Sequence, residues 1–147
     1  FDLAIMICEG AFPLMETDEM NFLILRNSFL SLKKGGKFIF TTLNGLFPLF
    51  HSVKDFVTNK TDQGKTGDDN FDLMSFRQYS SYETEDDKGK KMVLKCNERY
   101  YVPSEISWLL KSAGFRESEI FGCKLGAFSR NDTLTTEDFE MLVIAVK

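Results

Sequence analysis

The 147-residue sequence predicts an α/β fold built on a parallel strand pair, and three observations carry that expectation. An apolar run, Phe1-Asp2-Leu3-Ala4-Ile5-Met6-Ile7-Cys8, stops at a small glycine-containing corner, Glu9-Gly10-Ala11-Phe12. A helical stretch follows, and a second apolar run, Lys37-Phe38-Ile39-Phe40-Thr41-Thr42-Leu43, is entered through Gly35-Gly36. Strand, helix and strand with short joints require a parallel pair and a right-handed crossover. The first run is apolar on both faces, which suits a strand covered on both sides. In open α/β sheets ligands sit beyond the carboxyl ends of such strands, so the corner from Cys8 to Phe12 marks the functional edge.

Each further element follows in order. Residues 13–17 read as a loop, and Asp18 is placed to cap a helix running to about Lys33. Leu23, Leu25, Phe29, Leu30 and Leu32 give it a broad apolar face, Lys33 and Lys34 suit its negative C-terminal end, and Gly35-Gly36 stop it. After the second strand the texture changes. Residues 45–57 predict one short aromatic helix, and residues 58–70 a polar, glycine-rich mobile loop. Residues 71–82 and 92–101 predict two antiparallel strands that turn through the charged segment containing Asp87-Lys88-Gly89. Pro103 or Ser104 opens a helix with Ile106, Leu109, Leu110 and Ala113 on one face, and Gly114 ends it. Residues 118–123 and 139–147 read as closing strands joined by a simple loop, hence antiparallel to one another.

Length allows one domain, and 43% apolar residues with fifteen phenylalanines supply a sizeable core. The net charge of -4 argues against a nucleic-acid or anionic-membrane surface, which needs a basic face. Cys8, Cys96 and Cys123 are odd in number and far apart, so neither a disulfide framework nor a zinc site is expected, and a cytoplasmic, reducing location is. Asp68-Asp69 and Asp86-Asp87 lack the spacing of a calcium loop, so no metal is expected. The opening has neither the basic start nor the cleavage site of a secretory signal, and its first residue already belongs to a strand. The chain therefore reads as a fragment.

Several motifs in this order resemble the second half of a class I S-adenosylmethionine-dependent methyltransferase, entered at that family's fourth strand. They are the Cys8 to Phe12 corner, Leu30-Ser31-Leu32-Lys33-Lys34-Gly35-Gly36 before the second strand, Thr42-Leu43-Asn44 after it, Leu109-Leu110-Lys111-Ser112-Ala113-Gly114-Phe115, and Leu142-Val143-Ile144-Ala145-Val146. The resemblance implies a Rossmann-like sheet in which this chain supplies strands in the order 4-5-7-6, the last antiparallel, with an antiparallel insert at residues 44–101 as substrate lid. It also implies S-adenosylmethionine as methyl donor, lying against Cys8, Glu9, Gly10, Ala11 and Phe12. The family's glycine-rich first loop and its acidic ribose-binding residue have no counterpart here. The chain alone is therefore expected to bind the donor negligibly.

The residues themselves leave alternatives open. The corner is either a donor wall or a tight turn, and Phe12 either covers an adenine or methionine group or is ordinary core. Methyl transfer is a direct displacement that needs alignment more than a strong acid or base. A base can still accept the acceptor's proton, and His51, the single histidine, is the weak catalytic candidate, against a structural reading on a short helix. Asn44, Arg77, Tyr79 and Tyr101 are the substrate-side candidates, though alternation in a half-buried sheet accounts for the insert's aromatics without a ligand. Trp108 is read as helix core. Gly64-Lys65-Thr66-Gly67 lacks the longer frame of a phosphate loop.

Three functions compete at this point. One is a methyltransferase acting on a small-molecule acceptor. Another is a non-catalytic module pairing with its missing N-terminal half or a second copy, as a dimer or aggregate, through the free edge of its first strand. The third, half of a dehydrogenase, fits the antiparallel last strand poorly.

Overall fold

The computed structural model describes residues 1–8, 11–58, 70–124 and 127–147. Strand β1 (Leu3–Met6) leads through a loop to helix α1 (Asp18–Ser31) and strand β2 (Lys37–Leu43). Two short helices, α2 (Leu46–Phe50) and α3 (Val53–Thr58), precede three strands, β3 (Asn70–Asp72), β4 (Arg77–Glu85) and β5 (Lys91–Arg99). Helix α4 (Pro103–Ala113) and strands β6 (Glu117–Cys123) and β7 (Glu140–Val146) close the chain. The main sheet has the order β1-β2-β7-β6. β1 and β2 are parallel, and β7 lies antiparallel between β2 and β6, as the sequence predicts. β3, β4 and β5 form a separate antiparallel sheet inserted between β2 and α4.

The core lies on one face of the main sheet. Phe38 and Phe40 of β2 with Met141, Val143 and Ala145 of β7 pack under Leu25 of α1 and Ile106, Leu110 and Ala113 of α4. A smaller cluster of Leu43, Phe71 and Tyr100, with Phe47, Phe76 and Phe139 around it, seats the insert on the sheet's edge.

Local chemistry sets the helix ends, and it corrects the expected cap. Thr17, not Asp18, caps α1: its Oγ1 accepts from the Met20 amide at 3.2 Å, while Asp18 is already helical. The helix stops at Ser31, because Leu32 turns extended and drops into the core. Lys33 instead meets Asp2 at 3.0 Å, and the cation at the helix end is Lys147, whose Nζ donates to the Phe29 carbonyl at 2.7 Å. α4 begins with Pro103 at its first position, and the Glu105 carboxylate accepts from the Val102 amide at 2.8 Å. Gly114 ends it at φ 114°, where a Cβ would meet the Phe29 ring at 2.7 Å.

Other expectations need correction. β1 is not covered on both faces: Ala4 and Met6 enter the core, but Leu3, Ile5 and Ile7 are exposed. Alternation turns them to the face opposite α1 and α4. The single helix expected at residues 45–57 is broken at Ser52, whose φ is 55°. The strand expected at residues 71–82 splits where Asp72 accepts from Met74 N at 2.9 Å and Ser75 Oγ at 2.5 Å, with Phe76 at φ 55°. Trp108 is 66% exposed rather than core, because it lies off the stripe of Ile106, Leu110 and Ala113. Leu23 and Leu30 of α1 are exposed for the same reason. The expected mobile loop, Gly64-Lys65-Thr66-Gly67 and Asp68-Asp69 lie, apart from the loop's end residues, outside the described residues.

Candidate functional site

β1 and β2 run toward the same edge, and the segments leaving that edge define the candidate site. Cys8 is exposed, with φ 57° in the left-handed region. Glu9 and Gly10 lie outside the described residues. The Ala11 carbonyl accepts from Leu14 N at 2.8 Å, which turns the chain back, and Phe12 enters the core with no exposed surface. Its ring stacks on Tyr101 at 4.9 Å and meets Phe40 edge-on at 5.6 Å. That ring is committed to protein neighbours.

Asn44, directly after β2, is buried. Its Nδ2 donates to the carbonyls of Asp138 at 2.7 Å and Thr135 at 3.2 Å, and its Oδ1 accepts from Leu46 N at 3.0 Å. The side chain thus ties the start of α2 to the loop before β7. His51 stacks on Phe47 at 4.2 Å, and its Nε2 lies 3.3 Å from a Glu137 carboxylate oxygen without hydrogen-bond alignment. Glu137 also lines a cleft of about 640 Å³ with Cys123, Asp132, Thr135 and Asp138. Burial, then the neighbouring Glu140 carboxylate, pushes the Cys123 thiol up to about 12. It is no nucleophile at neutral pH.

The insert brings two more candidates to the same edge. Arg77 is almost fully buried; its Nη2 meets Asp18 Oδ1 at 2.5 Å, and its Nη1 donates to Met15 O and Asn97 Oδ1, each at 2.8 Å. Arg99 pairs opposite Arg77 in the strand register, donates to Glu105 Oε1 at 2.8 Å and lies 4.4 Å over the Tyr101 ring. The Tyr101 hydroxyl accepts from Asn21 Nδ2 at 3.1 Å. Burial, then the Asp18 charge, pushes that phenol up to about 12. Tyr79 stands opposite Asn97, partly exposed.

The structure therefore stacks Tyr101 on Phe12, pairs Arg77 with Asp18, touches Asn44 to Tyr101 through a backbone bridge, and places His51 against the loop before β7. Asp18, Asn21, Arg99, Glu105 and Glu137 were not foreseen from sequence. Asn21 did carry a signal, as a polar residue one turn before buried Leu25 on the inner face of α1.

No family model and no curated protein sequence matches the chain. Solved structures do. An S-adenosylmethionine-dependent methyltransferase from Clostridium acetobutylicum ATCC 824 superposes with a TM-score of 0.68 at 16% identity, over 99% of this chain and 58% of its own. This chain has the class I methyltransferase fold. The CcbJ methyltransferase from Streptomyces caelestis gives 0.63 at 13% identity, over 99% of this chain and 56% of its own. CalS10, an amino pentose methyltransferase from Micromonospora echinaspora solved with S-adenosylmethionine bound, gives 0.56 at 13%, over 100% and 58%. The chain spans a little over half the length of these methyltransferases.

Proposed function

We propose that this chain forms the C-terminal part of a cytoplasmic S-adenosylmethionine-dependent methyltransferase acting on a small molecule. The observation that carries the reading is the sheet: β1 parallel to β2, with β7 antiparallel between β2 and β6, in a fold similar to known methyltransferases along nearly the whole chain. Among the described residues, no helix is long and apolar enough to cross a membrane.

The residues after β1 fit one wall of a donor site. Cys8 is exposed at the strand's carboxyl end, and its left-handed backbone turns the chain sharply there. Phe12 supports that wall from behind rather than offering its ring. The donor, when bound, supplies an electrophilic sulfonium methyl. The chain's own residues orient and enclose: the insert covers the acceptor, and Arg77 and Tyr101 fix the insert against the corner. Tyr101 and Cys123 keep their protons at neutral pH, and in this reading His51, next to Glu137, accepts a proton from the acceptor.

The remainder of the donor site belongs, in this reading, to a preceding half that pairs with β1 and covers Leu3, Ile5 and Ile7. Calorimetric titration of the intact parent with S-adenosylhomocysteine tests it. Saturable heat from the parent, with none from the 147-residue chain alone, is expected, and no heat from the parent contradicts the proposal.

One observation favours a second reading for the isolated chain. Among the described residues β1 has a free edge, beside three exposed apolar side chains, and such an edge is a template for pairing. Alone, the chain then self-associates as a non-catalytic module, and a stable monomer in sedimentation contradicts that reading.

A further inference from the structure

The loop at residues 11–17 leaves the candidate donor corner, yet it is held mostly from outside the main sheet. Arg77 of β4 bonds the Met15 carbonyl at 2.8 Å and Asp18 at 2.5 Å. Asn97 of β5 reaches the Glu16 carbonyl at 3.4 Å, and the Arg99 amide donates to the Pro13 carbonyl at 3.2 Å. Three residues of the loop, Pro13, Met15 and Glu16, are thus anchored by the insert. From α1 the Asn21 side chain holds it through Met15 N at 3.1 Å and the Pro13 carbonyl at 3.4 Å, and the Met20 amide holds Thr17 Oγ1 at 3.2 Å.

Arg77 is 4% exposed, and a guanidinium that far from water is stable only when its donors are paired. Its planar fork fixes direction as well as distance, with one nitrogen on the loop and β5 and the other on the first residue of α1. A shift of the insert therefore drags the loop or breaks a buried charged contact. We infer that Arg77 is a positioning residue, clamping insert to loop so that the insert's position sets the donor corner, and the affinity for the donor follows the state of the insert. This rests on the methyltransferase reading of the site. Arg77 touches neither donor nor acceptor in this scheme; it acts through Met15 and Asp18.

The test compares the intact parent with Arg77→Met, Arg77→Lys and Asn97→Ala, using S-adenosylhomocysteine as probe. Calorimetry gives Kd, denaturant melting gives stability, and amide exchange shows where binding protects the chain. Binding to the wild type is expected to slow exchange in residues 11–17 and also in β4 and β5. In Arg77→Met the protection stays at residues 11–17 and Kd rises about fivefold to thirtyfold. Arg77→Lys, which restores a single contact, recovers part of that loss. Asn97→Ala, a change at a partly exposed position that leaves Arg77 in place, gives a smaller rise in Kd and covers the case in which Arg77→Met fails to fold. Variants that are less stable but keep wild-type Kd and insert protection overturn the clamp while leaving the methyltransferase reading intact. A wild type that does not bind the probe overturns both.

Discussion

Tyr101 joins three parts of the molecule at one phenol: its ring stacks on Phe12 of the corner, its hydroxyl meets Asn21 of α1, and Arg99 of the insert covers its face. Tyr101→Phe should lower stability by about 1 kcal/mol at pH 7, the worth of one buried hydrogen bond, measurable by denaturant unfolding. Its pH dependence has a definite sign. The native phenol holds its proton up to about 12, whereas the ordinary value is 10.0. Between those values the unfolded chain has lost a proton that the native form retains, so stability falls as pH rises through the window. The loss is about 2–3 kcal/mol for a two-unit shift, and Tyr101→Phe should remove that part of the alkaline decline. His51 gives a separate test. If the proposed function holds, His51→Ala in the intact parent should lower kcat by about 10²–10⁴ and leave S-adenosylhomocysteine affinity unchanged, whereas an unchanged kcat would return His51 to a structural role. At this scale the sequence was only partly legible. Cys8, Arg77 and Tyr101 were named for residue type and place, but the partners Asp18 and Asn21 depend on how α1 meets the insert, which periodicity does not encode.

The elements divide by the physics that forms them. α1, β2, α4 and β7 were readable because periodic apolar faces, Pro103 and Gly114 act over a few residues. Gly114→Ala should cost about 1–3 kcal/mol, since alanine is strained at φ 114° and its Cβ would meet the Phe29 ring, and equal unfolding midpoints would contradict this. The breaks at Ser52 and Phe76 escaped prediction because both rest on non-glycine residues in the left-handed region, which residue type does not signal. β1 was legible as a strand, but its burial was not. Its exposed face and free edge make one further prediction: Ile5→Glu should reduce self-association of the isolated chain in sedimentation, and an unchanged association state would place the contact elsewhere.

At the scale of the molecule, the order of elements said more than any motif. A helix between two parallel strands, an antiparallel insert and an antiparallel final pair fix the β1-β2-β7-β6 sheet, and this order fits the methyltransferase fold at identities of only 13–16%. The acceptor stayed illegible because, in the proposed reading, it depends on the shape of the insert and of the cleft beside Glu137, where side-chain geometry rather than pattern decides. The clamp from Arg77 to the corner belongs to this scale too, since it converts two sheets with separate cores into one site. The central claim is that the carboxyl end of β1 borders the methyl donor. Irradiating the intact parent with methyl-labelled S-adenosylmethionine and mapping the labelled peptide tests it most directly: the account predicts label in the peptide carrying residues 7–12, and label confined to peptides away from that corner would contradict it.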